Sequence, residues 1–207
     1  MSCYVWVVLS DVYGKCRSLV GPTINYARGA AAAMVRAMDS EIIAAALGTA
    51  KTGKDGGTDT ALPSGQKIAH GAAGLTVAKL LSAKEILDAN SVDPSIARTI
   101  VVSPKQVTDL LNTTEVKSSD FNTVKALAQG EINSFMGFNF ITSNRLTQDS
   151  DSNRQVICFA NDGVKMAMGK EPSARIDERA DKSYSTQVYY CQTIGATRME
   201  EEKVVEI

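Results

Sequence analysis

The most regular hydrophobic pattern in the chain lies between residues 23 and 47. Apolar side chains recur there at intervals of three and four residues, which is the spacing of one face of an α-helix. Pro22 precedes the pattern and Gly48 follows it, as is usual at the two ends of a helix. The pattern predicts one helix, about 37 Å long at 1.5 Å per residue. Its expected buried stripe consists of Ile24, Ala27, Ala31, Met34, Val35, Met38, Ile42, Ala45 and Ala46.

Shorter patterns predict helices in the middle of the chain and strands towards its end. The expected helices cover residues 76–90, 104–112 and 120–129, and the second begins with a capping box, Ser103-Pro104-Lys105-Gln106. Val77, Leu80, Leu81 and Leu87 form the expected apolar face of the first of these helices. Apolar runs and alternation predict strands at 1–9, 99–102, 138–142, 155–159, 184–194 and 203–207. This order of elements predicts an α+β fold.

Residues 48–74 are rich in glycine and show no apolar periodicity, which predicts a long loop or a hairpin. Gly48 to Lys54 satisfies the G-x-x-x-x-G-K pattern of a phosphate-binding P-loop, so a nucleotide-binding enzyme is one alternative. That motif needs a preceding strand, a following helix and a hydroxyl after the lysine. Here a helix precedes, Asp55 follows the lysine, and Gly56 and Gly57 disfavour a new helix. A flexible loop is the better interpretation.

Composition excludes several classes of protein and site. The 207 residues are 44% hydrophobic and 22% charged, which is close to the globular average. The 22 basic and 23 acidic residues give a net charge of −1, so no global basic field attracts nucleic acid. His70 is the single histidine, which excludes metal sites with two or more histidines. No nucleophile or acid lies beside it in the sequence, which favours an exposed or a structural histidine over a catalytic one.

Cysteine spacing and the first residues give no sign of secretion. Cys3, Cys16, Cys158 and Cys191 form no CxxC pair, and we expect them to be reduced and buried. Residues 1–9 are apolar but lack the basic start of a signal peptide and the length of a transmembrane helix. We expect no metal, no cofactor and no membrane contact.

Two charged strips are the strongest polar features of the second half of the chain. Residues 170–182 interleave acids and bases, and a second strip includes Arg198 and Glu200 to Glu202. Paired carboxylates can serve acid–base chemistry or metal binding, but here each acid has a basic neighbour, which favours either a solvated strip or a strip of intersubunit salt bridges. The candidates for intersubunit contacts are Arg175, Asp177, Glu178, Arg179, Asp181, Lys182, Arg198 and Glu200.

Several ordered segments resemble the major capsid proteins of tailed phages. They are residues 101–146, with SPKQ…LLN, DFN…KALAQG and FMGF ending in SNR; residues 30–47 with the loop after them; and residues 168–207. Together they extend the resemblance over roughly residues 11–207. The resemblance implies the Hong-Kong-phage-type capsid fold, with a peripheral domain built on a long spine helix and an apical domain around a central sheet.

The resemblance also implies a division of the chain. Residues 1–22 would be an N-terminal segment, residues 23–74 the spine helix and glycine-rich loop of the peripheral domain, and residues 75–150 the apical domain. Residues 151–207 would return to the peripheral domain as strands. Only about twenty residues precede Thr23, so the N-terminal arm and extended E-loop of the family are expected to be missing.

The function that the resemblance implies is structural rather than enzymatic. Copies of the chain would form pentamers and hexamers of an icosahedral shell in the virion, assembled in the cytoplasm of a bacterial host. Scaffold, portal and decoration proteins are the other expected partners, with weak contact to packaged DNA. An encapsulin-like compartment and a non-assembling prophage remnant are alternatives.

Overall fold

The computed structural model describes residues 1–10, 22–71, 73–112, 134–149 and 153–207. The predicted helix over 120–129 and Cys16 lie outside these residues. The chain forms two compact units, a first unit of Met1–Ile42 with Met166–Ala196 and a second unit of Ile43–Lys165 with Thr197–Ile207.

Among the described residues, the three α-helices all precede residue 113 and six of the ten strands follow it, which is an α+β order. The helices and strands are β1 (Ser2–Ser10), α1 (Pro22–Leu47), β2 (Ala50–Thr52), β3 (Thr58–Thr60), α2 (Val77–Ala89), β4 (Arg98–Val102), α3 (Pro104–Asn112), β5 (Ser134–Phe135), β6 (Phe138–Thr142), β7 (Ile157–Ala160), β8 (Val164–Arg179), β9 (Ser185–Arg198) and β10 (Val204–Glu206). Short 3₁₀ turns occur at Ser64–Gln66, Ala180–Lys182 and Glu201–Lys203.

A three-stranded sheet in the order β1-β9-β8 forms the first unit together with α1. β1 runs antiparallel to β9, with Trp6 opposite Tyr190. Tyr4 donates a hydrogen bond of 2.5 Å from Oη to Oε1 of Glu41 on α1. This bond raises the pKa of Tyr4 and lowers that of Glu41. The even-numbered side chains of β1 therefore face α1.

The predicted long helix is confirmed, and its expected stripe is correct at most positions. Met34 and Ala46 are buried and five further members are half-buried, whereas Ile24 and Val35 are each 56% exposed. The stripe missed Ala30 and Ile43, which are buried, because alanine occurs on every face of α1 and leaves the edges of the apolar face undefined. The predicted end is correct, because the Gly48 amide donates to the Ala44 carbonyl at 2.8 Å. A Cβ at Gly48 would lie 2.6 Å from that oxygen.

A mixed five-stranded sheet in the order β10-β7-β4-β6-β5 forms the centre of the second unit. All five residues of the middle strand, β4, are buried. β4 pairs parallel with β6 and antiparallel with β7. The core packs side chains of this sheet against α2 and α3, and its members include Leu80, Leu87, Ile100, Val102, Leu110, Phe138, Cys158 and Val205.

Local signals placed α2 and α3 correctly. Thr76 caps α2, accepting a hydrogen bond from the Lys79 amide at 3.4 Å. The predicted capping box is present, because the Ser103 amide donates to Gln106 Oε1 at 2.8 Å and the Gln106 amide donates to Ser103 Oγ at 3.4 Å. Leu81 was expected on the same face of α2 as Leu80 and Leu87, but it is 50% exposed. The buried residues of α2 are Leu80, Ala83 and Leu87.

The glycine-rich segment forms a hairpin, as one of the two sequence interpretations predicted. β2 and β3 pair antiparallel, Lys51 opposite Asp59, and these two side chains form an ion pair. Gly53 and Gly56 lie between the strands with φ values of 86° and 65°, which L-residues with side chains rarely adopt. Because a turn and a strand follow β2, residues 48–54 do not open a helix, and the P-loop alternative is wrong.

The longest strand has no apolar pattern of its own. β8 has 16 residues, most of them exposed. The family resemblance implies strands over residues 151–207, but the residue pattern of 170–182 by itself indicates only a charged strip. It lies at the edge of the sheet with solvent on much of its surface, so it lacks the alternation that marks a half-buried strand.

The cysteine expectation is partly wrong. Cys3, Cys158 and Cys191 are free thiols, and the latter two are buried. Cys3 is exposed, because it lies on the face of β1 turned away from α1.

Candidate intersubunit surface

The β8–β9 hairpin ends in a tight turn that presents charged side chains. Ser183 and Tyr184 have φ values of 52° and 56°, in the left-handed region that residues with a Cβ adopt only rarely. Ser185 stabilises the turn by donating from Oγ to the Lys182 carbonyl at 2.6 Å. Tyr184 projects from the turn with 68% of its surface exposed.

Arg179 and Asp181 form the ordered part of the charged strip. The guanidinium donates from Nε and Nη2 to the two carboxylate oxygens, each at 2.7 Å, and from Nη1 to Gln187 Oε1 at 2.9 Å. This paired geometry lowers the pKa of Asp181 and raises that of Arg179. Both side chains remain about half exposed, so the pair orients the hairpin end while its outer surface stays accessible.

The other predicted contacts of the hairpin are exposed. Within the part of the chain that the structure describes, no salt bridge engages Arg175, Asp177, Glu178 or Lys182. Six of the eight predicted residues thus lie on one hairpin, and four of them have charges that remain available to a neighbouring molecule.

Arg198 does not belong to this surface. It is 4% exposed, and its guanidinium donates to the carbonyls of Ala46, Gly48 and Thr60 at 3.0, 2.8 and 2.9 Å. Burial lowers its pKa. The Ala46 carbonyl belongs to the last turn of α1 and the Gly48 carbonyl follows that turn directly; arginine side chains commonly satisfy carbonyls at this end of a helix. Arg198 is therefore an internal brace of the second unit, which means that its side chain links loops and the end of a helix within that unit. Its guanidinium is not available for the predicted intersubunit contact.

Glu200 also lies in the second unit, but at its surface. Its carboxylate is 3.1 Å from Nζ of Lys203, and the same ammonium contacts Asp162 at 2.6 Å. Sequence reasoning grouped Glu200 with Arg198 because the two are close in the chain, yet one side chain is exposed and the other is buried.

A cluster around Cys191 was missed by sequence reasoning. Ser173 Oγ lies 3.2 Å from Cys191 Sγ. Hydrogen bonding by Ser173, Lys170 and Tyr189 lowers the pKa of Cys191 from its ordinary value of 9.0 to about 7. The four residues come from two strands, so only their pairing brings them together.

We expect a thiolate to form at Cys191 near pH 7. Because the folded pKa lies below the unfolded one, its contribution to stability is fully present above about pH 9 and is lost as the pH falls through 7. The ultraviolet absorbance of the thiolate should rise with a midpoint near pH 7, and Cys191→Ser should remove this step. Cys158→Ala should retain it, because burial raises the pKa of Cys158. A step that survives in Cys191→Ser would contradict the assignment.

A large cavity of about 1060 Å³ lies beside the N-termini of α2 and α3. Exposed His70 lines it together with Lys79 and Arg154. Lys79 Nζ donates to the carbonyls of His70, Ala73 and Gly74 at 2.7–3.0 Å. Arg154 Nη1 donates to two further carbonyls. These cations therefore stabilise the loops that line the cavity, and the role of the His70 side chain stays a prediction.

Two absences concern the described ranges only. No group of three or more His, Cys, Asp and Glu side chains is placed to hold a metal ion. Across the same ranges, no helix combines the length and the apolar character needed to cross a membrane.

Comparison with protein families accounts for this architecture. The model of a family described as phage capsid protein matches residues 1–207. This chain belongs to the phage capsid protein family. It is a structural subunit of a viral shell, and its location is the virion. A comparison with curated proteins found no match.

Solved structures share the fold at low sequence identity. A chain of Mycobacterium phage Che8 is 17% identical with a TM-score of 0.74, over 99% of this chain and 70% of that chain. The capsid of Cyanophage P-SCSP1u is 19% identical with a TM-score of 0.73, over 99% and 71%. The SrpI encapsulin of Synechococcus elongatus PCC 7942 is 10% identical with a TM-score of 0.64, over 99% and 72%.

These similarities identify the Hong-Kong-phage-type capsid fold, as the sequence resemblance implied. Phage capsids and an encapsulin share it, so the fold alone does not separate the two kinds of shell. The family match assigns this protein to the phage capsids.

Proposed function

We propose that this chain is the major capsid subunit of a tailed double-stranded DNA phage and that its copies form the pentamers and hexamers of an icosahedral shell. The family match supports shell formation. The observation that carries the contact assignment is the exposed, mixed-sign strip of the β8–β9 hairpin, which leaves Arg175, Asp177, Glu178 and Lys182 without an ion pair among the described residues.

In this proposal α1 is the spine of the peripheral domain, and residues 75–150 form most of the apical domain. The five-stranded sheet supports the second assignment, because β4, β5 and β6 all fall within that range. Of residues 151–207, β8 and β9 would supply the strands that return to the peripheral domain, because they form one sheet with β1. β7 and β10 do not fit the proposed division, because they belong to the five-stranded sheet.

Interleaved charges suit contacts between copies of one chain. Acidic side chains of one subunit meet basic side chains of the next, and arrangements that bring like charges together are disfavoured by repulsion. Such strips therefore determine how two subunits align more than how tightly they bind. Weak individual contacts then add up through multivalency. A net charge of −1 keeps long-range repulsion between copies small.

The remaining partners follow from the class of particle. We propose assembly in the bacterial cytoplasm with a scaffold, a portal and decoration proteins, and weak non-specific contact with packaged DNA. An encapsulin-like compartment is the second candidate, because the SrpI encapsulin has the same fold.

Charge reversal on the hairpin tests the proposed contacts. Asp177→Lys with Glu178→Lys should shift sedimentation from capsomer-sized particles towards the monomer, with an association constant lower by about tenfold or more. Mixing this variant with Arg175→Glu, Lys182→Glu should restore association, because opposite charges then meet. Negative-stain images identify the particles as rings or shells.

The matched control is Asp55→Lys with Glu85→Lys, which changes the net charge equally at exposed positions that are not part of the β8–β9 hairpin. It should assemble as the unmodified chain does. Equal assembly of the control and the hairpin variant would reject the hairpin as the contact. A monomer at every concentration of the unmodified 207-residue chain would reject its self-assembly.

A further inference from the structure

β1 is an edge strand without the usual protection of an edge. In the described part of the chain its one strand neighbour is β9. Its nine residues, SCYVWVVLS, include no charged residue and no proline. An edge of this kind presents unpaired backbone N–H and C=O groups and accepts a further strand readily.

The opposite edge of the same sheet is protected. β8 carries seven charged residues and Pro172 along its 16 positions. Charged side chains and proline are the features by which natural proteins block edge-to-edge pairing. Aggregation is therefore blocked at one edge of this sheet, while the other edge remains suited to pairing.

Exposed apolar side chains follow the open edge. Val5, Val7 and Leu9 are 53%, 46% and 48% exposed, on the face of β1 turned away from α1. Tyr4, Trp6 and Val8 on the other face are half-buried. A strand that pairs with β1 would cover part of the side chains on both faces of β1, because directly opposite residues of an antiparallel pair share a face.

We propose that β1 pairs with β1 of a second copy, antiparallel and about a two-fold axis at Trp6, to form a continuous six-stranded sheet. In this register Val5 lies opposite Val7 of the second copy, Cys3 opposite Leu9, and Ser2 opposite Ser10. All nine residues of each strand then overlap, and each one meets a residue of the same face.

The sequence of β1 fits a copy of itself. It is uncharged, so two copies do not repel each other. Its exposed and half-buried residues alternate symmetrically about Trp6, so an inverted copy presents the same pattern. Such an isologous contact is self-complementary and closes after two subunits. It lies on a different element from the proposed hairpin contacts, so either can fail without the other.

Charge substitution on the exposed row tests the pairing. Val5→Lys with Val7→Lys places lysines opposite lysines in the two-fold register, as Val5→Glu with Val7→Glu places glutamates opposite glutamates. Each variant alone should sediment mainly as a species without the β1–β1 dimer, with an association constant for dimerisation at least tenfold lower. An equimolar mixture of the lysine and glutamate variants should form the dimer again. Both positions are about half exposed, and circular dichroism checks that the variants are folded.

Met168→Lys with Ile176→Lys is the matched control, since these residues are 52% and 54% exposed on the protected edge. It should pair as the unmodified chain does. The proposal is rejected if the unmodified chain shows no such dimer at any concentration, if the lysine variant still pairs, or if the mixture does not recover.

A disulfide tests the register independently. Leu9→Cys places a thiol opposite Cys3 of the second copy, and oxidation with diamide removes two protons and two electrons from the thiol pair to form the bond. Mass spectrometry should find residues 3 and 9 linked between chains. Val7→Cys should yield far less crosslink to Cys3, because position 7 faces position 5. Equal crosslinking of both variants would overturn the two-fold register.

Discussion

Arg198→Met is expected to lower the free energy of unfolding by about 3 kcal/mol, because one buried and two half-buried carbonyls would lose their hydrogen-bond donor. The guanidinium satisfies three carbonyls, those of Ala46, Gly48 and Thr60. Methionine fills a similar volume but donates nothing. Urea denaturation followed by circular dichroism measures the change.

Arg198→Lys should recover only part of this loss, because a compact ammonium does not replace the planar fork of arginine. Arg36→Met is the control, since Arg36 is exposed on α1 and its loss should change stability by less than about 0.5 kcal/mol. Equal effects of Arg198→Met and Arg36→Met would show that Arg198 is not a brace.

Phe138→Ala is expected to cost about 4 kcal/mol, since deletion of a fully buried aromatic ring removes its burial and leaves a cavity. Phe138 has no exposed surface and is among the largest fully buried side chains. It lies on β6 opposite Arg98 of the central strand β4. The same denaturation experiment measures this loss.

Ile141→Ala provides the matched control on the same strand. Ile141 is 53% exposed, so its truncation should change the unfolding free energy by less than about 0.5 kcal/mol. If both substitutions cost the same, the side of β6 assigned to the core is wrong.

The sequence by itself determined the elements whose signals are local. Gly48 marked the end of α1, and the hydroxyl of Ser103 with the amide of Gln106 marked the start of α3, because caps are formed by residues within one turn of each other. The continuous apolar run of β4 marked a strand buried on both faces. Ordered segments with their spacing also pointed to the capsid fold, which the comparisons confirmed.

Only the tertiary structure decided the features that depend on distant partners. β8 is a strand because it pairs with β9, and its exposed surface carries no periodic signal. The guanidinium of Arg198 is buried because α1 and the β2–β3 hairpin supply carbonyls 138–152 residues away in the chain. Cys191 has a lowered pKa because Lys170 and Ser173 reach it from another strand. Charge and hydrophobicity are properties of single residues, whereas burial and pairing are properties of the positions that the fold brings together.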